Sequence, residues 1–299
     1  MFELKLSCDI CGQPLAKKRL FHKSADTGAS DAIFLYDCKG CGSEVLRPQP
    51  SNSLLAEEYK EYFERRTKYT DVRFPKEAFF TELLKEHFGD LKDSPNLNVL
   101  ELGAGSGDFV HAFNKLFPRA RITAVDMNQE GAANYEGLNC TLINRDIIEY
   151  TKASEEEFDI IFMFDVVEHM RNPMELLRCC KERLAPGARV CFSTPLAGAG
   201  LHKITGRFWP QYKLEHTFYL SNKSFGIIAK TLELKVERAE VLKKRLPISY
   251  LLSVGSNFGP RLFSLIVRVV KPFIPRFIFN YELKLSLGEA IVIFRKDSK

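Results

Sequence analysis

An open α/β fold with a mostly parallel sheet, closed by an antiparallel edge hairpin and preceded by a small four-cysteine module, is what the sequence predicts. Three observations carry this. Apolar runs of strand length alternate with helical periodicities from residue 98 to residue 195. The strands end in glycine or Asp, which places a ligand at the carboxyl edge of the sheet. Ahead of them, Cys8-Asp-Ile-Cys11-Gly12 and Cys38-Lys-Gly-Cys41-Gly42 repeat one spacing.

Each of those pairs is a C-x-x-C-Gly turn that points two thiolates at one metal. Together Cys8, Cys11, Cys38 and Cys41 supply the four sulfurs of a closed tetrahedral Zn²⁺ site. Ile33-Phe-Leu-Tyr36 reads as a short strand leading into the second turn. Residues 1–50 are therefore expected to be a structural zinc ribbon, with Arg47-Pro-Gln-Pro50 as the linker to a second domain over 51–299. The other cysteines, Cys140, Cys179, Cys180 and Cys191, sit in apolar-periodic segments and read as core thiols.

At 299 residues, 45% of them hydrophobic, the chain can build a full core. Residues 200–299 hold 18 Lys and Arg against seven Asp and Glu, a balance of +11, which leaves −6 for residues 1–199. The basic third suggests an anionic partner, although a solvated basic face has the same composition. Met1-Phe-Glu-Leu-Lys-Leu-Ser lacks a long apolar core, so no signal peptide is expected. The longest uncharged run, Leu246 to Pro260, is too short and too broken by Pro and Gly to span a bilayer. A cytoplasmic location follows as an expectation, and with it thiols rather than disulfides.

Residues 51–94 carry helical patterns, first on Leu54, Leu55, Tyr59, Tyr62 and Phe63, then on Phe79, Phe80, Leu83, Leu84 and Phe88 after Pro75. Asn98-Val-Leu-Glu-Leu-Gly-Ala-Gly-Ser-Gly-Asp-Phe109 comes next and organises the chain. Val99 to Leu102 reads as a buried strand, Gly103, Gly105 and Gly107 as a turn, and Phe109, Val110, Phe113, Leu116 and Phe117 as one helix face. A dinucleotide turn wants a small residue where Asp108 stands, and that carboxylate would repel a pyrophosphate. Glu101 adds negative charge. The corner suits a ligand that carries positive charge.

E-L-G-A-G-S-G-D resembles the first motif of class I S-adenosylmethionine-dependent methyltransferases. The resemblance implies a Rossmann-like sheet and S-adenosylmethionine as cofactor, held by Glu101, Gly103, Gly105 and Gly107. Arg121-Ile-Thr-Ala-Val125 is a strand ending in Asp126, where a ribose diol can be gripped by charge-assisted hydrogen bonds. Met127 beside it would flank the adenine. At the end of the next strand Asp146, followed by Ile147, matches the family's adenine-binding acid. Phe158-Asp-Ile-Ile-Phe-Met-Phe164 reads as a strand buried on both faces. It runs into Asp165-Val-Val-Glu168-His169, which is similar to the family segment lining the methyl-donor pocket, with Phe164 on its wall. His169 is a candidate for catalysis or for orienting the loop. Ala185-Pro-Gly-Ala188 departs mildly from the family's turn before strand Arg189–Pro195.

Beyond residue 200, Glu215-His216-x-x-Tyr219-x-Ser221 resembles bacterial sugar and natural-product methyltransferases. Among these, deoxysugar C-methyltransferases also begin with a four-cysteine zinc module. The resemblance implies acid–base work for Glu215 and His216, which side by side suit that role. Both could instead anchor the loop. Lys213-Leu214 and the lack of that group's extra carboxyl-terminal domain depart from it, so O- or N-methylation of a sugar, glycan or lipid-linked acceptor is expected as readily as C-methylation.

Glu233–Val241 and Glu282–Phe294 are expected as the last two strands, with an unusually long insertion, 246–281, between them. On a helix Arg261, Ser264, Arg268 and Lys271 form one polar stripe on an otherwise apolar segment, with Arg276 beyond. Such a face suits a membrane interface, a partner groove or packing on the sheet. An RNA methyltransferase is the alternative within the same chemistry, disfavoured because the cysteine module is not strongly basic. A non-catalytic S-adenosylmethionine-binding regulator is the alternative outside it.

Overall fold

The computed structural model describes residues 6–22, 32–56, 76–92, 94, 96–127, 132–258, 261–270 and 274–298. Tyr59, Tyr62, Phe63, Pro75 and Lys271 lie outside these residues, as do the side chains of Arg261, Leu262, Ser264, Arg268 and Arg276.

The first three strands, β1 (Leu15–His22), β2 (Ile33–Cys38) and β3 (Glu44–Arg47), form an antiparallel meander. Helix α1 (Lys76–Phe88) buries Leu83, Leu84 and Phe88. The parallel core follows with β4 (Asn98–Leu102), α2 (Asp108–Leu116), β5 (Arg121–Asp126), β6 (Cys140–Asn144), α3 (Ile147–Ala153), β7 (Phe158–Met163) and α4 (Pro173–Arg183). Strand β8 (Leu184–Ala197) runs 14 residues. After it come α5 (Gly200–Thr205), β9 (Phe218–Ser221), α6 (Asn222–Thr231), β10 (Lys235–Val241), β11 (Lys244–Pro247), α7 (Ile248–Phe258), α8 (Arg261–Val270), α9 (Arg276–Phe279), β12 (Glu282–Leu285) and β13 (Glu289–Arg295).

Strands β6, β5, β4, β7 and β8 lie side by side and parallel. Strand β13 pairs antiparallel with β8 over Arg189–Pro195, and β10 pairs antiparallel with β13 at the edge. This is the Rossmann-like sheet the glycine corner implies, with its antiparallel strands at one side. Val99, Leu100, Ile122, Ala124, Ile160, Ile161, Phe162 and Phe192 are buried, as strands covered on both faces must be.

Two features differ from the sequence reading. Glu282–Phe294 is two strands rather than one, broken at residues 286–288 where Gly288 N–H donates to Ser286 Oγ. Its first part, β12, pairs with β11 in a separate two-stranded ribbon, so the insertion rises from that ribbon and not from the main sheet. The cysteine-bearing meander is also continuous with the core sheet. Strand β3 pairs with β9, and β9 pairs parallel with the end of β8.

Candidate functional site

Strand β4 delivers the chain into the turn, where Gly103 N–H and Ala104 N–H both donate to Val125 O. Gly103 has φ +79°, and a Cβ there would lie 2.5 Å from Val166 Cγ2, so neither strain nor space admits a side chain. Gly105 N–H donates to Asp126 Oδ2 at 2.8 Å, tying the turn to the end of β5. Tyr135 braces it from outside, its hydroxyl donating to Ala104 O at 2.9 Å.

The cavity above this corner is lined by Glu101, Gly103, Ala104, Gly105, Ser106, Asp108 and Phe109, with Phe164 and Asp165 from the end of β7. Lys76, Phe79 and Phe80 of α1 and Lys244 of β11 complete it. Phe80 packs on Phe164 with ring centroids 4.9 Å apart. Glu101 is 3% exposed, and its Oε2 has no hydrogen-bond partner among the described residues. Burial, then the negative charges of Asp126 and Asp108, hold its carboxyl well above the usual range. A cationic ligand relieves that arrangement, so the corner fits the sulfonium and ammonium of S-adenosylmethionine better than it fits a diphosphate.

Beyond Phe164 the backbone turns sharply at Asp165, which has φ +54°. Ser193 fixes it twice, accepting from Asp165 N–H and donating to Asp165 Oδ1, both at 3.0 Å. Burial raises the Asp165 carboxyl, but Lys244 and Ser193 outweigh it and bring the group below its ordinary value. Lys244 itself is paired with Glu289, and Glu289 accepts from Gln211 Nε2 at 2.7 Å.

Glu168 and His169 stand on the 3₁₀ turn Val167–His169. The loop before β9 docks on that turn, with Thr217 N–H donating to Glu168 O and Thr217 Oγ1 to Met170 O, both at 2.9 Å. Docking brings His216 onto His169, ring centroids 4.8 Å apart. His169 Nδ1 lies 3.2 Å from Glu215 O, and His216 Nδ1 lies 2.9 Å from Gln211 O. Carbonyls only accept, so both Nδ1 atoms carry the proton and both Nε2 atoms keep a lone pair. Burial pushes both imidazoles below their ordinary value, His216 the further.

Residues 65–239, more than half of the chain, match the family described as a methyltransferase domain. Among solved structures, a SAM-dependent methyltransferase from Archaeoglobus fulgidus shares the fold, with TM-score 0.51 and 19% identity over 79% of this chain and 99% of that one. The chain belongs to the class I S-adenosylmethionine-dependent methyltransferases.

Curated relatives of this methyltransferase include the malonyl-[acyl-carrier protein] O-methyltransferase of Halalkalibacterium halodurans. It is 30% identical over 156 residues, 49% of this chain and 52% of that protein. The ubiquinone biosynthesis O-methyltransferase of Serratia proteamaculans is 26% identical over 102 residues, 32% of this chain and 42% of that protein. The chain thus spans about half the length of these relatives or less.

Of the cofactor residues expected from sequence, the structure of the methyltransferase gathers Glu101, Gly103, Gly105 and Phe164 on the cavity wall. Gly107 caps α2 behind it. Asp126 reaches the turn through Gly105, while Met127 is 70% exposed beside it. Asp146 spends one carboxylate oxygen capping α3, accepting from Ile148 and Glu149 N–H, and Ile147 packs on the core. Of the acceptor-side candidates, His169 and His216 meet. Glu215 joins them through its backbone carbonyl, its own carboxylate lying 3.9 Å from Lys213 Nζ. Sequence reasoning missed Lys244, whose charge reaches Asp165 only in the folded chain, and Glu289, which pairs with Lys244. It quoted Glu168 without a role, although its place beside His169 was the available signal.

The four N-terminal cysteines converge, with Cys8 and Cys41 sulfurs 3.6 Å apart, Cys11 and Cys38 3.3 Å, and all four within 4.8 Å. Tetrahedral ligation at about 2.3 Å puts sulfurs about 3.8 Å apart, so this donor set fits Zn²⁺. Cys140, Cys179, Cys180 and Cys191 are dispersed through the core region as free thiols.

Proposed function

We propose that this methyltransferase methylates a hydroxyl oxygen on an acidic small molecule, glycan or lipid-linked acceptor. The observation that carries the reading is the pair of neutral imidazoles, half-buried His169 on the turn that continues from the cavity wall at Asp165 and buried His216 on the loop docked against it. An alcohol is a weak nucleophile until its proton is drawn away, whereas an amine or thiolate needs no such help. The names of the curated relatives, both O-methyltransferases, support the same atom.

Bound S-adenosylmethionine supplies a methyl group on a sulfonium. The protein's own part is positioning, exclusion of water and charge. The Gly103–Gly105 backbone and Asp126 hold the cofactor end, and Glu101 answers its positive charge. Phe79, Phe80 and Phe164 exclude water, and the imidazole pair activates the acceptor hydroxyl. The basic carboxyl-terminal third and Lys76 on the wall favour an anionic acceptor.

Two further parts belong to this proposal. Cys8, Cys11, Cys38 and Cys41 hold Zn²⁺ as a structural ion, since no open position remains for chemistry. The insertion 246–281 docks on an anionic membrane surface. Leu265, Ile266, Val269 and Val270 of α8 are 47–59% exposed, an apolar face that water does not favour. Among the described residues no helix is long and apolar enough to cross a membrane.

The experiment is transfer of labelled methyl from S-adenosylmethionine into an extract fractionated into lipid, small-molecule and RNA pools. Label is expected in acidic lipids or small molecules. Label confined to RNA replaces this reading with a nucleic-acid one. Vesicle flotation tests docking separately: association requires anionic lipid and weakens with salt, and protein that stays behind with every composition contradicts it.

A further inference from the structure

We propose that Glu168, His169 and His216 form a second metal site, one that takes a divalent cation of the Mn²⁺, Fe²⁺ or Zn²⁺ kind at the acceptor side of the cofactor cavity. One donor atom from each of the three residues lies within 4.8 Å of the others. Opposed ligands around a cation at about 2.1 Å stand about 4.2 Å apart, a gap that small side-chain rotations close. Two imidazoles and one carboxylate leave coordination positions open, the donor set that suits redox-inert and redox-active borderline cations alike.

Three independent features point to a cation there and not merely to a packed cluster. Glu168 is 1% exposed, and its Oε2 has no hydrogen-bond partner among the described residues. A carboxyl oxygen held dry and without a hydrogen-bond partner is costly unless a bound group answers it. Both imidazoles are oriented from behind, Nδ1–H of His169 on Glu215 O and Nδ1–H of His216 on Gln211 O. That is how metal-ligating histidines are held, with the tautomer fixed and Nε2 free to bind. The third feature is location. Asp165 lines the cavity three residues before Glu168, so a cation on this turn sits beside the space where an acceptor meets the methyl donor.

The inference deepens the oxygen-methylation reading and rests on it for its catalytic consequence, though not for the binding itself: with both Nε2 atoms on the cation, the imidazole pair activates the hydroxyl through the metal and not by taking its proton. A cation on Glu168, His169 and His216 takes the acceptor hydroxyl oxygen as a further ligand and lowers its pKa. The O–H bond then breaks, the proton leaves to water, and the oxygen keeps the electron pair it needs as nucleophile. No electrons are exchanged, so no oxidant or reductant is required.

The test uses the full chain stripped of loosely held divalent ions, titrated with Mn²⁺ and followed by the paramagnetic resonance of the free ion. Mn²⁺ prefers oxygen and nitrogen donors, so the thiolate cluster stays silent. The expected result is about one Mn²⁺ per chain. Glu168→Gln and His216→Ala should each weaken binding tenfold or more, with S-adenosylmethionine affinity retained as the check on folding. Glu168→Gln is nearly isosteric, so it serves if His216→Ala folds poorly. Absence of Mn²⁺ binding, or Glu168→Gln binding it as tightly as the unaltered chain, overturns the site. Methyl found on nitrogen or carbon while Mn²⁺ still binds overturns the oxygen reading and upholds the metal site.

Discussion

His169 and His216 meet edge to face, their ring centroids 4.8 Å apart and their planes at 82°. One comes from the turn after β7 and the other from the loop before β9, and each has its Nδ1 fixed by a backbone carbonyl. Residues that act as one unit lose their effect together. His216→Ala and His169→Ala should each lower kcat by about 10²–10⁴, and the double variant should be little worse than either. Steady-state kinetics that show two independent, multiplying losses would contradict a shared role.

The glycine corner makes a sharper claim about binding. Gly103→Ala must place a methyl 2.5 Å from Val166 Cγ2 at φ +79°, so S-adenosylmethionine binding should vanish in calorimetry. Asp126→Ala removes the partner of Gly105 N–H and the expected ribose grip, at a cost of about 2–3 kcal/mol. Unchanged affinity in Asp126→Ala would remove that residue from the cofactor site.

These local features were legible because strand, turn and helix face follow one another within a dozen residues. The same holds for the two cysteine turns, whose spacing already implies convergence. What was not legible depends on segments distant in sequence. Lys244 and Glu289 meet because the end of β10 pairs with the start of β13, with Leu242 N–H donating to Glu289 O, and no local pattern encodes that. Glu215 looked catalytic beside His216; in the fold its carbonyl holds His169 Nδ1, while its carboxylate lies 3.9 Å from Lys213 Nζ and adds its charge to the same imidazole, a contact between distant segments that no local pattern shows. The apolar stretch of Glu282–Phe294 read as one strand because the break at residues 286–288 is set by pairing with two different partners.

Glu44 ties the cysteine meander to the acceptor-side loop, accepting from Tyr212 and Lys18 and meeting His202. Burial raises its carboxyl, but His202, Lys18 and Tyr212 outweigh this and bring it down to about 2. A carboxyl with a folded value below its unfolded one stabilises the fold above the unfolded value, about 4.5, and loses that contribution as pH falls toward about 2. Glu44→Gln should therefore cost on the order of 2 kcal/mol at neutral pH and flatten the acid limb of the stability curve. An acid limb unchanged in thermal melts would show that Glu44 is not its source.

Zinc makes a separate demand. Purified protein should carry about one Zn²⁺ per chain on its thiolates. Cys38→Ser combined with Cys41→Ser should abolish it in elemental analysis. Because β3 pairs with β9, the same variant should also melt lower than the unaltered chain. Zinc that persists in the double variant would refute the cluster as its site.

The central claim, methyl transfer from S-adenosylmethionine to an acceptor oxygen, is tested most directly by incubating the enzyme with carbon-13 methyl-labelled S-adenosylmethionine and fractionated acceptor. The carbon-13 resonance of the purified product then reports which atom bears the methyl group. The proposal predicts a methyl carbon bonded to oxygen, formed at a rate that collapses in His216→Ala. A methyl bonded to nitrogen or carbon, or a chain that binds S-adenosylmethionine and transfers no label to any fraction, would contradict it.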